Sequence, residues 1–242
     1  MNEFFRHQVL NIQGVDITLF RSNRAKNLNI TIKPFMGVLV SVPYSLSFKK
    51  AKEVTEQRIN WIKSHLSKMK KAEDMLTLFN LDTKFQTRAH HLDIKASDTD
   101  KVRSIVRNNK ISIKIPYSNK MEDAKVQIEI RKAIERAWRK EAKGYLPLRV
   151  KELAEKYKFK YKNVAIKNAK TRWGSCSFIN NINLSLHLMR LPDHLIDYVI
   201  LHELVHTKIK NHSRDFWQLL DIVSGNAKKL DREVKEYKIQ IY

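Results

Sequence analysis

The sequence predicts an α+β chain, and three observations predict it. Short runs alternate apolar and polar side chains, as in VDITLF (15–20) and LNITI (28–32), the period of a half-buried strand. Two longer stretches repeat their apolar residues at helical spacing, one after residue 45 and one after residue 120. The strands gather in hairpins that precede helices, which suits a mixed fold of small sheets. With 242 residues, 43% of them hydrophobic, the chain is long enough to bury a sizeable core, and five Gly and five Pro exclude a collagen-like or low-complexity chain.

IKPFMGVLVSV reads as a hairpin turning at Met36-Gly37, and Pro43 ends its second strand. The next 32 residues, from Ser45 to Leu76, read as one helix with an apolar stripe of Phe48, Ala51, Val54, Ile59, Ile62 and Leu66, capped by Ser45 or Ser47. TKFQTRAHHLDIKAS and KVRSIVRNNKISIKIP form a second β-rich stretch that turns at Asn108-Asn109. VSVPYS (40–45) and IKIPYS (113–118) each precede a long helix, which suggests a duplicated hairpin-plus-helix unit. The second long helix, about 121–158, is expected to bend or break near Gly144 and Pro147.

KNVAIKN is then a strand, TRWGSCS a compact segment with Gly174 at a turn, and INLSLHLMRL a strictly alternating strand. Ile182, Leu184, Leu186 and Leu188 take one face of it, and Asn183, Ser185, His187 and Met189 the other. Pro192-Asp193 opens a helix, Ser224-Gly225-Asn226 closes the one after it, and a short basic helix follows. The domain boundary is placed near 120: an N-terminal α/β region at 1–120, then 121–242 with a helix, a small sheet and histidine-bearing helices.

The net charge of +22 is spread over both halves and reads in two ways: as a lysine bias with the charges on solvated faces, or as a surface for a polyanionic partner, with nucleic acid as one candidate. KELAEKYKFKYKNVAIKNAKTRW (151–173) interleaves lysines with aromatics as a nucleic-acid surface does, and equally as an amphipathic helix running into a strand does. The one cysteine, Cys176, excludes a disulfide within the chain and fits a reducing compartment. No secretory leader and no run of eighteen apolar residues is visible, so the expected location is cytoplasmic, without a membrane partner.

The chemistry concentrates in VILHELVHTKIKNHSRDFW (199–217). The helix from Asp193 to Ile209 is apolar on nearly every side, the mark of a buried helix. His202 and His206, four apart, stand one turn apart on one face and can aim ring nitrogens at a single zinc ion. Glu203 stands beside that ion, placed to take a proton from zinc-bound water. His212, past a turn at Asn211, is the candidate third ligand, leaving one open position as catalytic sites do. The spacing from His202 to His212 is that of the metzincins, but Ile209 stands where they carry glycine, and no methionine follows Met189. Both departures argue against that group.

TRWGSCS, INLSLHLMRLP and IDYVILHELVHTKIKNHSRDFW together closely resemble the YgjP-like metallopeptidase domain, a relative of the SprT-like zinc proteases, and RSNRAKNLNITIKPFMGVLVSVP and RINWIKSHL resemble its N-terminal segment. The resemblance implies a minimal gluzincin-like, that is zincin-like, catalytic domain: a small mixed sheet, an active-site helix and a following ligand helix. It implies one Zn²⁺ on His202, His206 and, by position, His212, with Glu203 as general base and acid. It also implies that the strand at 182–188 lines the cleft and can pair with an extended peptide or protein substrate. Relatives of SprT type act on proteins attached to DNA, an analogy that the positive charge suits.

An oxyanion stabiliser is required. His187, on the polar face of the cleft strand, and Arg172 are the candidates; an exposed strand histidine and a structural ion pair are their plain readings. Cys176 reads as a small packed residue, with a thiolate ligand in a latent state as the other reading. Asp197 and Asp215 are candidates to orient a ligand histidine, or serve only their helix dipoles. The leading function is a zinc metallopeptidase of HExxH type. The rivals are a metal-dependent hydrolase of a phosphate-containing substrate such as a nucleotide, and a nucleic-acid-binding module with a vestigial metal site. Glu203 speaks against the last, since a structural site has no use for a general base.

Overall fold

In the computed structural model, residues 7–33, 36–74 and 77–237 are described. The fold is α+β, with three small sheets and six α-helices among these residues. Contacts divide the chain into two compact units, residues 1–78 with 122–128, and residues 79–121 with 129–242.

The N-terminal unit holds β1 (His7–Ile12), β2 (Val15–Arg21), β3 (Asn29–Lys33) and β4 (Gly37–Val42) in the order β1-β2-β4-β3. β1 is an element that the sequence reading passed over. Its signal is Gln13-Gly14 between two runs, both residues at positive φ as a tight hairpin turn requires. Ile17 and Leu19 on β2 and Val38, Val40 and Val42 on β4 are buried at alternate positions. They meet Ala51, Ile59 and Ile62 of the helices in one core, each large side chain there contributing about 1.5–3 kcal/mol.

The helix expected over 45–76 is two helices, α1 (Phe48–Gln57) and α2 (Ile59–Asp74), joined at Arg58. Residues 75 and 76, and residues 34 and 35 of the first hairpin, lie outside the described residues. Ser47 is the cap, its hydroxyl accepting from Lys50 N–H at 3.1 Å.

The second unit holds β5 (His91–Ser97), β6 (Arg103–Arg107) and β7 (Lys110–Pro116) in the order β5-β7-β6. Asn108 and Asn109 supply the β6–β7 turn at φ 51° and 56°. The contact division falls at residue 78, where the sequence reading placed its boundary near 120. The physical reason lies in the residues before β5. Glu141 accepts from Ala89 N–H at 3.0 Å, from His90 Nδ1 at 2.7 Å and from the Thr87 hydroxyl. Arg88 donates to Leu191 O at 2.8 Å, and Phe85 meets Trp138 edge to face.

α3 (Ala124–Lys156) runs through Pro147, so the expected break is absent. Proline removes one hydrogen bond to the residue four before it, here the exposed Lys143, whose carbonyl can turn to water. Ala142, Leu146 and Val150 stay buried on either side and hold the helix down.

The third sheet holds β8 (Asn163–Lys167), β9 (Gly174–Cys176) and β10 (Asn181–Ser185) in the order β8-β10-β9. The strand read over 182–188 stops at Ser185. A 3-10 helix follows at Leu186–Arg190, started by the Ser185 hydroxyl accepting from His187 N–H at 3.3 Å. Leu186, His187, Leu188 and Met189 are all buried there, which an alternating strand face would not allow. After it come α4 (Asp193–Val205), α5 (Arg214–Ser224), closed by Gly225 at φ 84°, and α6 (Ala227–Glu236).

One topology occurs three times. In β2-β3-β4, β5-β6-β7 and β8-β9-β10, the first strand lies parallel to the third, the second lies antiparallel to it, and the third is central. A helix follows each set. The echo of VSVPYS in IKIPYS marks the first two.

Candidate metal centre

α4 is a buried helix with few polar side chains, and those few have assigned work. Asp193 in its first turn meets Arg88 at 2.6 Å, and Asp197 takes a two-pronged contact from Arg149 at 2.7 and 2.5 Å. The carboxylate of Asp197 is therefore held by an arginine of α3 and orients no histidine. Asp215 sits exposed in the first turn of α5.

The helix ends earlier than Ile209: Val205 is its last residue and His206 its cap. The turn that follows is tied by Lys208 N–H and Ile209 N–H, both donating to Val205 O at 2.9 Å. It brings the Ile209 carbonyl to 3.0 Å from His206 Nδ1. A carbonyl only accepts, so Nδ1 carries the proton and Nε2 keeps its lone pair, the tautomer a metal requires.

His212 folds back from the start of the next element, where the Asn211 side chain accepts from Ser213 N–H at 3.3 Å. Its Nε2 stands 3.1 Å from His202 Nε2 and 3.2 Å from His206 Nε2. An ion bound by imidazoles at about 2.0–2.1 Å in a tetrahedral shell needs nitrogens about 3.3–3.4 Å apart. The three histidines meet that within a small adjustment, and they are the one such group among the described residues. Three imidazoles suit a first-row transition ion better than a hard cation. Neither Cys176 nor Glu203 joins the group.

Phe216 of α5 backs all three rings, with centroids at 4.9 Å from His202, 4.5 Å from His206 and 4.7 Å from His212, and it is wholly buried. No local sequence pattern marks Phe216 for this place behind the imidazoles. Burial, with His206 and His212 alongside, pushes His202 down to about 4, and burial lowers His206 too. Both are neutral near pH 7, as ligands must be.

Glu203 is 5% exposed, and its Oε2 has no hydrogen-bond partner among the described residues. Burial pushes it up to about 8, against a downward pull from the exposed Arg172. The sequence places Gly174 at a turn. It lies instead in β9 against this carboxylate, where a Cβ would stand 2.6 Å from Glu203 Oε1.

β10 pairs on both sides, so the cleft strand of the sequence reading has no free edge; the open edge beside α4 belongs to β9. The β9–β10 turn is tied to the histidine loop by Lys210, which donates to Ser177 O at 3.1 Å and Asn180 Oδ1 at 2.5 Å.

His187 is 0% exposed, engages the Asn168 side-chain oxygen at 2.9 Å and lies edge to face with Trp138. Sealed in this way on a 3-10 helix, it has no exposed strand face from which to meet an oxyanion. Burial also raises the Cys176 thiol, which favours the plain reading of a packed residue.

A family model described as "YgjP-like, metallopeptidase domain" matches residues 26–237. Among solved structures, the metallopeptidase zymogen jannalysin of Methanocaldococcus jannaschii is 26% identical, covering 36% of this chain and 91% of that one, with a TM-score of 0.33. The zymogen abylysin of Pyrococcus abyssi is 24% identical, covering 36% and 90%, with a TM-score of 0.33. No curated protein matches the sequence. Among the described residues no helix is long and apolar enough to cross a membrane.

Proposed function

The chain belongs to the YgjP-like metallopeptidase family, and on that premise we propose that it is a zinc endopeptidase whose catalytic part lies within the second compact unit, in residues 129–242, working in the cytoplasm on peptide or protein substrates. The observation that carries this reading is the convergence of three imidazole Nε2 atoms, at 3.1 and 3.2 Å from His212, beside a buried carboxylate with an unpartnered oxygen. When bound, Zn²⁺ supplies Lewis acidity toward the scissile carbonyl and makes water easier to deprotonate.

The residues of the chain do the rest. His202, His206 and His212 hold the ion, and the Ile209 carbonyl fixes the tautomer of His206. Glu203, which the charge of a bound cation beside it would return to the ionised form, takes the proton of the attacking water and delivers it to the leaving amine. Gly174 leaves the room in which that carboxylate stands. An extended peptide adds to the open edge of β9 by main-chain hydrogen bonds, with its scissile bond over Glu203. Arg172, exposed and near enough to act on the Glu203 charge, stabilises the oxyanion.

The test is hydrolysis of casein by wild type and Glu203→Gln, with metal analysis of both. A loss of about 10²–10⁴-fold in the variant with zinc retained supports the proposal. A metal-free wild type, or activity indifferent to Glu203, overturns it. Hydrolysis of nucleoside triphosphates in place of casein replaces it with the phosphate reading.

A further inference from the structure

The N-terminal unit has a groove of about 340 Å³ lined by Leu28, Asn29 and Ile30 at the start of β3, by Val54 of α1, by Arg58 at the junction of the two helices and by Trp61 of α2. The place of this groove in the repeated topology says what it is.

β4 and β10 are the central strands of their sets, and each ends where its parallel neighbour ends, Val42 opposite Arg21 and Ser185 opposite Lys167. Those ends differ by one residue in face, so the buried side chains set the match: Val38 and Val40 fall on Ile182 and Leu184, which puts their antiparallel partners together, Ile32 on Cys176 and Ile30 on Gly174. Matching the first residues of the helices, Phe48 on Asp193, puts Ala51, Thr55 and Ile59 on Ile196, Ile200 and Leu204. All six are buried, so the match preserves the inward face.

In that register Val54 falls on Val199, and Gln57, Arg58 and Trp61 fall on His202, Glu203 and His206. The β3 groove is therefore the counterpart of the space between β9 and α4. Its metal ligands are gone, and a cation stands where the general base stands.

β3, like β9, closes its sheet with an open edge. Along α1 the acidic residues are taken, Glu53 by Lys50 at 2.9 Å and Glu56 by Lys52 at 3.7 Å. Arg58 is exposed and has no ion-pair partner among the described residues. Trp61 is 43% exposed, its ring stacked on His65 at 4.0 Å, which presents a fixed apolar face.

We propose that the N-terminal unit is a non-catalytic copy of the metal-bearing unit that binds an extended acidic segment of the substrate protein. The segment pairs with the open edge of β3, sets a carboxylate against Arg58 and packs an apolar side chain on Trp61. The peptide geometry rests on the reading of β9 as a peptide edge; the occupant's charge rests on Arg58 alone.

The test is fluorescence anisotropy of labelled Thr-Val-Thr-Glu-Thr-Val-Thr, blocked at both ends, on the full chain carrying Glu203→Gln to prevent cleavage. Alternation places valine, glutamate and valine on one face of this probe. The second probe carries lysine in place of glutamate. The glutamate probe is expected to bind at least tenfold more tightly than the lysine probe. Adding Arg58→Glu is expected to reverse the order, and Trp61→Ala to weaken both, at unchanged melting temperature. A preference that Arg58→Glu leaves intact overturns the proposal, as does absence of binding by the glutamate probe. Neither result bears on casein hydrolysis by the wild type, whose failure would instead remove the peptidase reading and leave the anisotropy result standing.

Discussion

Gly174 and Glu203 meet where only a glycine fits: a Cβ on Gly174 would lie 2.6 Å from Oε1, 2.8 Å from Cγ and 2.9 Å from Cδ of the carboxylate side chain. Gly174→Ala thus pushes on the one residue whose position the chemistry needs. A misplacement of about 1 Å in a catalytic group costs on the order of 10²-fold in rate. The expected outcome is a drop of that size in kcat for peptide hydrolysis, with bound zinc per chain unchanged. Equal activity in the alanine variant would show that Glu203 has room to move.

The contrast between Gly174 and the HELVH stretch shows what the sequence makes legible. His202, Glu203 and His206 are related by one helical turn, so spacing alone brings them together, and the turn at Asn211 was visible as a return path for His212. Gly174 faces Glu203 from another element, and no local pattern carries that. His187 misled for a different reason. Alternation of apolar and polar residues continues from Ile182 to Met189, but the chain leaves the strand at Ser185 and buries both faces. The second copy of the hairpin-plus-helix pattern was legible from PYS repeated after two strands. The third was hidden because the link from β10 to α4 carries an extra 3-10 helix.

His212 is exposed, whereas His206 is 9% exposed and backed by Phe216. Loss of the His212 ring therefore disturbs little packing and removes one ligand. Losing even an outer hydrogen bond to a ligand weakens zinc about 10–100-fold, so His212→Ala is expected to cost at least 100-fold. Competition with a chromophoric chelator reads the affinity. The melting temperature in excess chelator is expected to match that of the wild type; a large fall there would make His212 a structural residue.

Glu141 and His90 are 5% and 4% exposed, and one carboxylate oxygen collects the His90 ring, the Ala89 N–H and the Thr87 hydroxyl. Glu141→Ala leaves the buried His90 ring without its acceptor, and an unsatisfied buried donor costs about 1–3 kcal/mol. Glu141→Gln keeps an acceptor oxygen and is expected to lose less. Urea unfolding of the three proteins checks the order, and equal losses would show that the charge outweighs the hydrogen bonds.

His187 sets a pH limit on stability that is separate from metal release. Its ring is fully buried, and burial lowers it to about 4, with Glu135 pulling upward and Arg190, Lys170 and Arg139 pushing downward. Unfolded, it returns to about 6.5. The unfolded chain then binds a proton that the folded chain refuses, so stability is full above about pH 6.5 and falls as the pH drops toward 4. The difference is worth about 3 kcal/mol once the pH is below both values. His187→Gln keeps a polar group near Asn168 and cannot titrate. It is expected to be less stable than wild type at pH 7, because a ring packed on Trp138 is lost, yet to show a shallower decline between pH 6.5 and 4. Urea midpoints measured in chelator across that window, where zinc makes no contribution, read the two slopes. Parallel slopes would assign the acid sensitivity to the other histidines.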